Sequence, residues 1–167
     1  TSHPSHWTFG ASTLQRVVES EDALLSPFEI FADCTQAHLD ANRHWLMPRF
    51  QDPHSGILAI TIQSFLIRQN GLTILVDACG GNDKERARPH FHRRAWPWLD
   101  RLRRAGVTPE DIDIVLCTHL HVDHVGWNTR LENGRWVPTF PNARYLVAQR
   151  EWDYWRTAGP AALVRTG

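Results

Sequence analysis

An apolar run at residues 112–118 (IDIVLCT) ends directly in His119-Leu120-His121-Val122-Asp123-His124. No other stretch constrains the fold so strongly. A run this short and this apolar predicts a strand buried on both faces. Such strands belong to sheets covered by helices, and sites gather at their carboxyl ends. Three imidazoles and a carboxylate within six residues are no accident of a chain with ten His in 167 residues. The chance of that pattern from this composition is on the order of 10⁻³.

The residue types have a direct chemical reading. Neutral imidazole nitrogen and carboxylate oxygen are ligands that zinc and similar divalent metals accept. One tight loop cannot close all four groups around one ion without strain. Alternation along the loop instead sends His119 and His121 toward one ion, and Asp123 and His124 toward a second. Two ions ~3.5–4 Å apart can share a hydroxide and clamp both the attacking and the leaving oxygen. The competing reading makes these capped loop histidines, with Asp123 a turn residue. It is the weaker one, because structural histidines are usually solitary.

The rest of the chain supplies an α/β frame. Residues 57–68 (ILAITIQSFLIR) are rich in β-branched and aromatic side chains. Asn70-Gly71 follows, the dipeptide preferred by a type I′ turn, and residues 72–76 (LTILV) return as a second strand. Residues 83–94 read as a polar, basic loop. Pro97 then opens a helix whose face is Leu99, Leu102 and Ala105, and Gly106 stops it. A capped turn at Thr108-Pro109-Glu110-Asp111 leads into the apolar run. Strand, helix, strand in this order implies a crossover connection. Upstream, residues 1–27 read as an irregular lead-in with one edge strand around 14–18. A helix is expected over 33–46, ended by Pro48. Downstream of residue 125 the chain reads as a loop containing Asn133-Gly134. A strand around 145–148 and a helix near 149–156 follow, with Trp152 and Trp155 forming one packed face. Asp153 falls in that helix.

Composition narrows the partners. With 42% hydrophobic and 22% charged residues, a packed core is expected. The formal net charge is zero, so no nucleic-acid or anionic-membrane partner is expected. No apolar run approaches the ~18 residues of a membrane span. The N-terminus shows no basic and apolar regions of a signal peptide, which points to the cytoplasm, although a trimmed start is expected because the chain does not begin with Met. Three cysteines, Cys34, Cys79 and Cys117, make buried free thiols the expectation.

His-x-His-x-Asp-His directly after an apolar strand resembles the signature of the metallo-β-lactamase-fold superfamily. Residues 64–82 (SFLIRQNGLTILVDACGGN) are similar to that superfamily's hairpin and the Val-Asp-Thr-Gly-like turn after it. Asp77 matches the acidic position, while Ala78-Cys79 stands where Thr-Gly is usual and Gly80 comes next. THLHVDHVGWNT, followed by FPNARYLVAQREWDYW, is similar to the lactonase and organophosphate-hydrolase branch. The resemblance covers about residues 55–157.

The resemblance implies an α/β fold of layered α+β type: the N-terminal half of a metallo-β-lactamase-type αββα sandwich at residues 55–167, behind a lead-in at 1–54. His119 and His121 would hold a first ion, and Asp123 and His124 a second, with two zinc ions per intact domain. Asp123 would also be catalytic, moving the proton of the nucleophile or leaving group. Asp77 would orient a ligand histidine from behind. Trp127 is expected to line a pocket for an apolar substrate group. A hydroxide shared by the two metals would hydrolyse a small molecule: a lactone or ester first, a phosphotriester next, with thioesterase and β-lactam hydrolase as further alternatives. Flavodiiron relatives usually carry Glu at the position of His121, so the His favours hydrolysis.

Members of that superfamily draw a third first-ion His, a bridging Asp and one more His from the second half of the fold. No His follows His124 here. The expectation is therefore the N-terminal portion of a longer hydrolase, a fragment inactive by itself. Its sheet would need covering by the missing C-terminal half or by a partner chain, and a homodimer is allowed. The rival is a non-catalytic metal-binding or assembly module.

Overall fold

Alternation of apolar residues in the central strands decides the architecture. The computed structural model describes residues 5–158. Strands β1 (His6–Phe9) and β2 (Ser12–Leu25) open the chain. Short α1 (Pro27–Ile30) and α2 (Gln36–Leu46) follow. The hairpin β3 (Leu58–Gln69) and β4 (Leu72–Val76) leads through a loop to α3 (Trp98–Arg104) and β5 (Ile114–Cys117). Next come α4 (Val122–Val125), the hairpin β6 (Thr129–Glu132) and β7 (Arg135–Pro138), β8 (Arg144–Val147) and α5 (Gln149–Thr157). A six-stranded sheet has the order β1-β2-β3-β4-β5-β8, and β6-β7 stands apart. Residues Ser20–Thr61 make one compact unit, and the remaining described chain makes another.

The second unit carries the motif. Its β3–β4 hairpin turns at Asn70 (φ 51°) and Gly71 (φ 78°), the two positive values a type I′ turn needs. β4, β5 and β8 are parallel. Cross-strand register then puts Leu66, Leu75 and Val115 in one row, each fully buried. Helix α3 sends buried Trp98 and Leu102 into this core. Gly106 stops α3 in the left-handed region at φ 77°, where a Cβ would be strained. The opposite row, Phe65, Val76, Leu116 and Leu146, is half-buried to exposed, with both leucines 39% exposed.

Four expectations need correction. β5 is not buried on both faces: Val115 and Cys117 are buried, while Leu116 on the other face is 39% exposed. The lead-in is not irregular with a short edge strand: β1 pairs with the 14-residue β2, and β2 lies inside the sheet. Its alternation was masked by the acidic Glu19, Glu21 and Asp22. The stretch after residue 125 is not all loop, because Asn133 (φ 49°) and Gly134 (φ 76°) turn the β6–β7 hairpin. Its strands, TRLE and RWVP, carry no apolar run of the kind that marks β5. Trp152 and Trp155 do not form one packed face, since Trp152 is 53% exposed. The sequence positions 1–4 and 159–167, included in the expected domain bounds, lie outside the described residues.

Candidate metal centre

Strand β5 delivers the motif to the carboxyl edge of the parallel sheet, where α/β folds build their sites. The chain leaves β5 at Cys117, passes Thr118 and His119, and turns into α4 with His121 at its N-cap. The three imidazoles crowd together. The His119 ring lies 4.5 Å from that of His121 and 3.9 Å from that of His124. His124 Nε2 is 3.4 Å from Asp123 Oδ2.

Asp77 stands behind this cluster, at the end of the neighbouring strand β4. Its Oδ2 accepts from His124 Nδ1 at 2.8 Å and from the Thr118 hydroxyl at 2.7 Å. Its Oδ1 accepts from the Thr118 amide at 2.8 Å. A bond at Nδ1 leaves Nε2 as the outward nitrogen, which is how carboxylates orient ligand histidines. Burial alone would raise the Asp77 carboxyl. The bonds from His124 and Thr118 outweigh burial and hold it below the usual range. Burial likewise works against charge on His124, but Asp123 and Asp77 carry its pKa up to about 9. His119 goes the other way, lowered by burial and by its two histidine neighbours.

The donor set fits zinc in kind, with imidazole and carboxylate side by side. Among the described residues, no group of three or more His, Cys, Asp or Glu side chains is set to hold one ion. The donors form one cluster in which His119 lies closer to His124 than to His121, and Asp123 adjoins His124, so the spacing does not divide them into two pairs.

Several supporting residues had no sequence signal. Glu19, from β2, is wholly buried and accepts from the Gly80 amide (2.8 Å), the Gly81 amide (3.0 Å) and Trp127 Nε1 (2.7 Å). Burial lifts its pKa to about 6 against those three bonds. Glu151 of α5 accepts from the Leu120 amide at 3.1 Å and from Trp155 Nε1 at 3.0 Å. The Trp155 ring meets His121 edge-on at 5.7 Å. Glu19 is about a hundred residues from the motif, so no local pattern could have exposed it. Trp127 is 3% exposed and stacks on Trp98 at 5.4 Å. Its accessible edge borders a cleft of about 490 Å³ shared with Asn82, Leu99 and Arg130, and no motif histidine lines that cleft.

The sequence profile of the metallo-β-lactamase superfamily matches residues 59–165. The chain belongs to the metallo-β-lactamase superfamily. Among relatives in this superfamily, metallo-beta-lactamase domain-containing protein 1 of Xenopus laevis is 32% identical over 118 residues, covering 68% of this chain and 39% of that protein. The N-acyl homoserine lactonase AttM of Rhizobium radiobacter is 32% identical over 108 residues, 57% of this chain and 37% of that protein. Among solved structures, hydrolase AbOPH of the beta-lactamase superfamily superposes with a TM-score of 0.69 at 27% identity, over 94% of this chain and 48% of that one. The dizinc quorum-quenching lactonase AidC gives a TM-score of 0.72 at 21% identity, over 92% and 47%, and so speaks to the fold alone. The chain spans well under half the length of these two curated relatives and about half of the two structures. The architecture expected from the resemblance, one half of a metallo-β-lactamase-type fold, agrees with this coverage.

Proposed function

We propose that the intact protein is a metal-dependent hydrolase of lactones or esters, with phosphotriesters as the second substrate class. The observation that carries this reading is the bond from His124 Nδ1 to Asp77, beneath a cluster of three imidazoles. That is the support by which carboxylates orient ligand histidines. In this reading His119 and His121 hold one zinc ion, and Asp123 and His124 a second. When bound, such a pair would lower the pKa of water toward ~7 and polarise the scissile carbonyl. Asp123 would take the proton of the attacking water and return it to the departing oxygen. AttM and AidC are described as lactonases and AbOPH as a hydrolase, which favours this substrate order.

The row of Phe65, Val76, Leu116 and Leu146 supports a further part of the reading. An apolar sheet face with leucines 39% exposed is one that a second layer normally covers. We place the C-terminal half of the longer protein there, and the missing metal ligands with it. The test is to express the full reading frame, measure zinc per chain, and follow hydrolysis of an N-acyl lactone. About two zinc ions, and turnover that His121→Ala lowers by orders of magnitude, would support the proposal. Wild-type turnover in His121→Ala would remove it.

A further inference from the structure

The motif is held at both ends, and the second clamp is a buried carboxylate with no local connection to it. The turn after β4, at Ala78, Cys79, Gly80 and Gly81, lies directly against the end of α4. Three backbone bonds of 2.7 Å join them: Ala78 N to His124 O, Gly126 N to Cys79 O, and Trp127 N to Ala78 O. The approach is so close that a Cβ on Gly126 would lie 1.9 Å from the Gly80 carbonyl. Gly81 reaches its place only at φ 75°, 2.6 Å from Gly126 on the same measure.

Glu19 closes this joint from the far side. One oxygen takes the Gly80 amide, and the other takes both the Gly81 amide and the Trp127 indole. It therefore bridges the turn and the segment that follows the motif. Its own backbone is pinned, since Arg101 Nη1 donates to the carbonyls of Val18 (3.0 Å) and Glu19 (2.8 Å). All three partners of the carboxylate are neutral N–H groups, and it is wholly buried. A charge in such a place is a poor way to gain stability alone, because desolvation costs several kcal/mol. It is a good way to fix several donors at one point.

Resting on the proposed metal-binding reading, we propose that Glu19 is a positioning residue for the centre. It locks the Gly80-Gly81 turn onto Gly126 and Trp127, and so sets the His124 imidazole against Asp77. Glu19→Gln keeps the size but presents an amide donor to at least one of the three N–H groups. Trp127→Phe removes one donor of the three, along with part of the ring stacked on Trp98, and serves if the first variant fails to fold.

The experiment compares wild-type chain and both variants by amide hydrogen exchange and by the NMR signal of the His124 Nδ1 proton. In Glu19→Gln the amides of Ala78, Gly126 and Trp127 should exchange roughly tenfold faster or more, while Leu75 and Val115 keep their protection. The His124 Nδ1 proton signal should broaden or vanish. Trp127→Phe should show the same pattern more weakly. Unchanged joint amides and an unchanged imidazole proton would overturn the proposal. Equal acceleration throughout the sheet would overturn it too, because that is what mere loss of stability produces. Cobalt(II) alone, added to the protein expressed from the full reading frame, is the probe for the site: Glu19→Gln should weaken binding roughly 10–100-fold, and equal affinity would sever Glu19 from the centre. If the full-length wild type takes up no cobalt, the metal-binding reading falls, and the exchange and imidazole signals alone decide the role of Glu19.

Discussion

Replacing Asp77 with Asn removes one negative charge and changes almost nothing in shape. The structure allows its cost to be worked out bond by bond. The Asn oxygen can still accept from the Thr118 amide, as Oδ1 does now at 2.8 Å. The new amide group faces two present donors, the Thr118 hydroxyl at 2.7 Å and His124 Nδ1 at 2.8 Å. The hydroxyl can rotate and become an acceptor, so that bond survives in a weaker, neutral form. His124 cannot donate to a donor. It either loses the bond or sheds its Nδ1 proton and keeps only the one on Nε2, the nitrogen a metal would use. A hydrogen bond to a charged group contributes about 1.5–3 kcal/mol, and trading a charged bond for a neutral one costs about 1 kcal/mol more. Asp77→Asn should therefore destabilise the metal-free chain by about 2–4 kcal/mol, with metal affinity reduced roughly 10–100-fold as well. Urea unfolding followed by circular dichroism measures the first, and competition with a zinc indicator the second. A variant within about 0.5 kcal/mol of wild type would show that the Asp77 bonds are not holding His124.

Gly126→Ala places a methyl 1.9 Å from the Gly80 carbonyl, so it should cost 3 kcal/mol or more, read as a lowered urea midpoint. The raised pKa of Glu19, about 6 against 4.5, means that its protonated form is favoured in the fold. Its stabilising contribution is complete below pH 4.5 and is lost as pH rises through about 6, and Glu19→Gln should flatten that part of the stability profile. Burial also raises the Cys79 thiol well above its ordinary value and the Cys117 thiol to a lesser degree, whereas Cys34 is half-buried. A thiol reagent at neutral pH should therefore modify Cys34 first in the folded chain, as peptide mapping would reveal.

Local patterns were legible because their physics is local. Asn70-Gly71 named its own turn, Gly106 its helix stop, and the capping pattern at Thr108 its short helical turn, with the Asp111 side chain accepting from the Thr108 amide. The motif was legible for the same reason, since six consecutive residues hold its donors. The β6–β7 hairpin was not, although Asn133-Gly134 marks its turn, because its strands TRLE and RWVP lack the apolar run that revealed β5. Nor was β2, where Glu19, close to Glu21 and Asp22 in the chain, is wholly buried.

The sequence by itself determined the donor set, the strand that delivers it and the superfamily. Each depends on residue identity at short spacing, which a linear chain displays in full. Only the tertiary structure decided how those donors are held. Asp77 reaches His124 because parallel pairing of β4 and β5 sets their carboxyl ends side by side. Glu151 meets the Leu120 amide because α5 follows β8, the strand next to β5. Glu19 meets Gly80, Gly81 and Trp127 across separations of 61 to 108 residues. Contacts of that kind arise from sheet order and register, and a chain carries no short-range record of them.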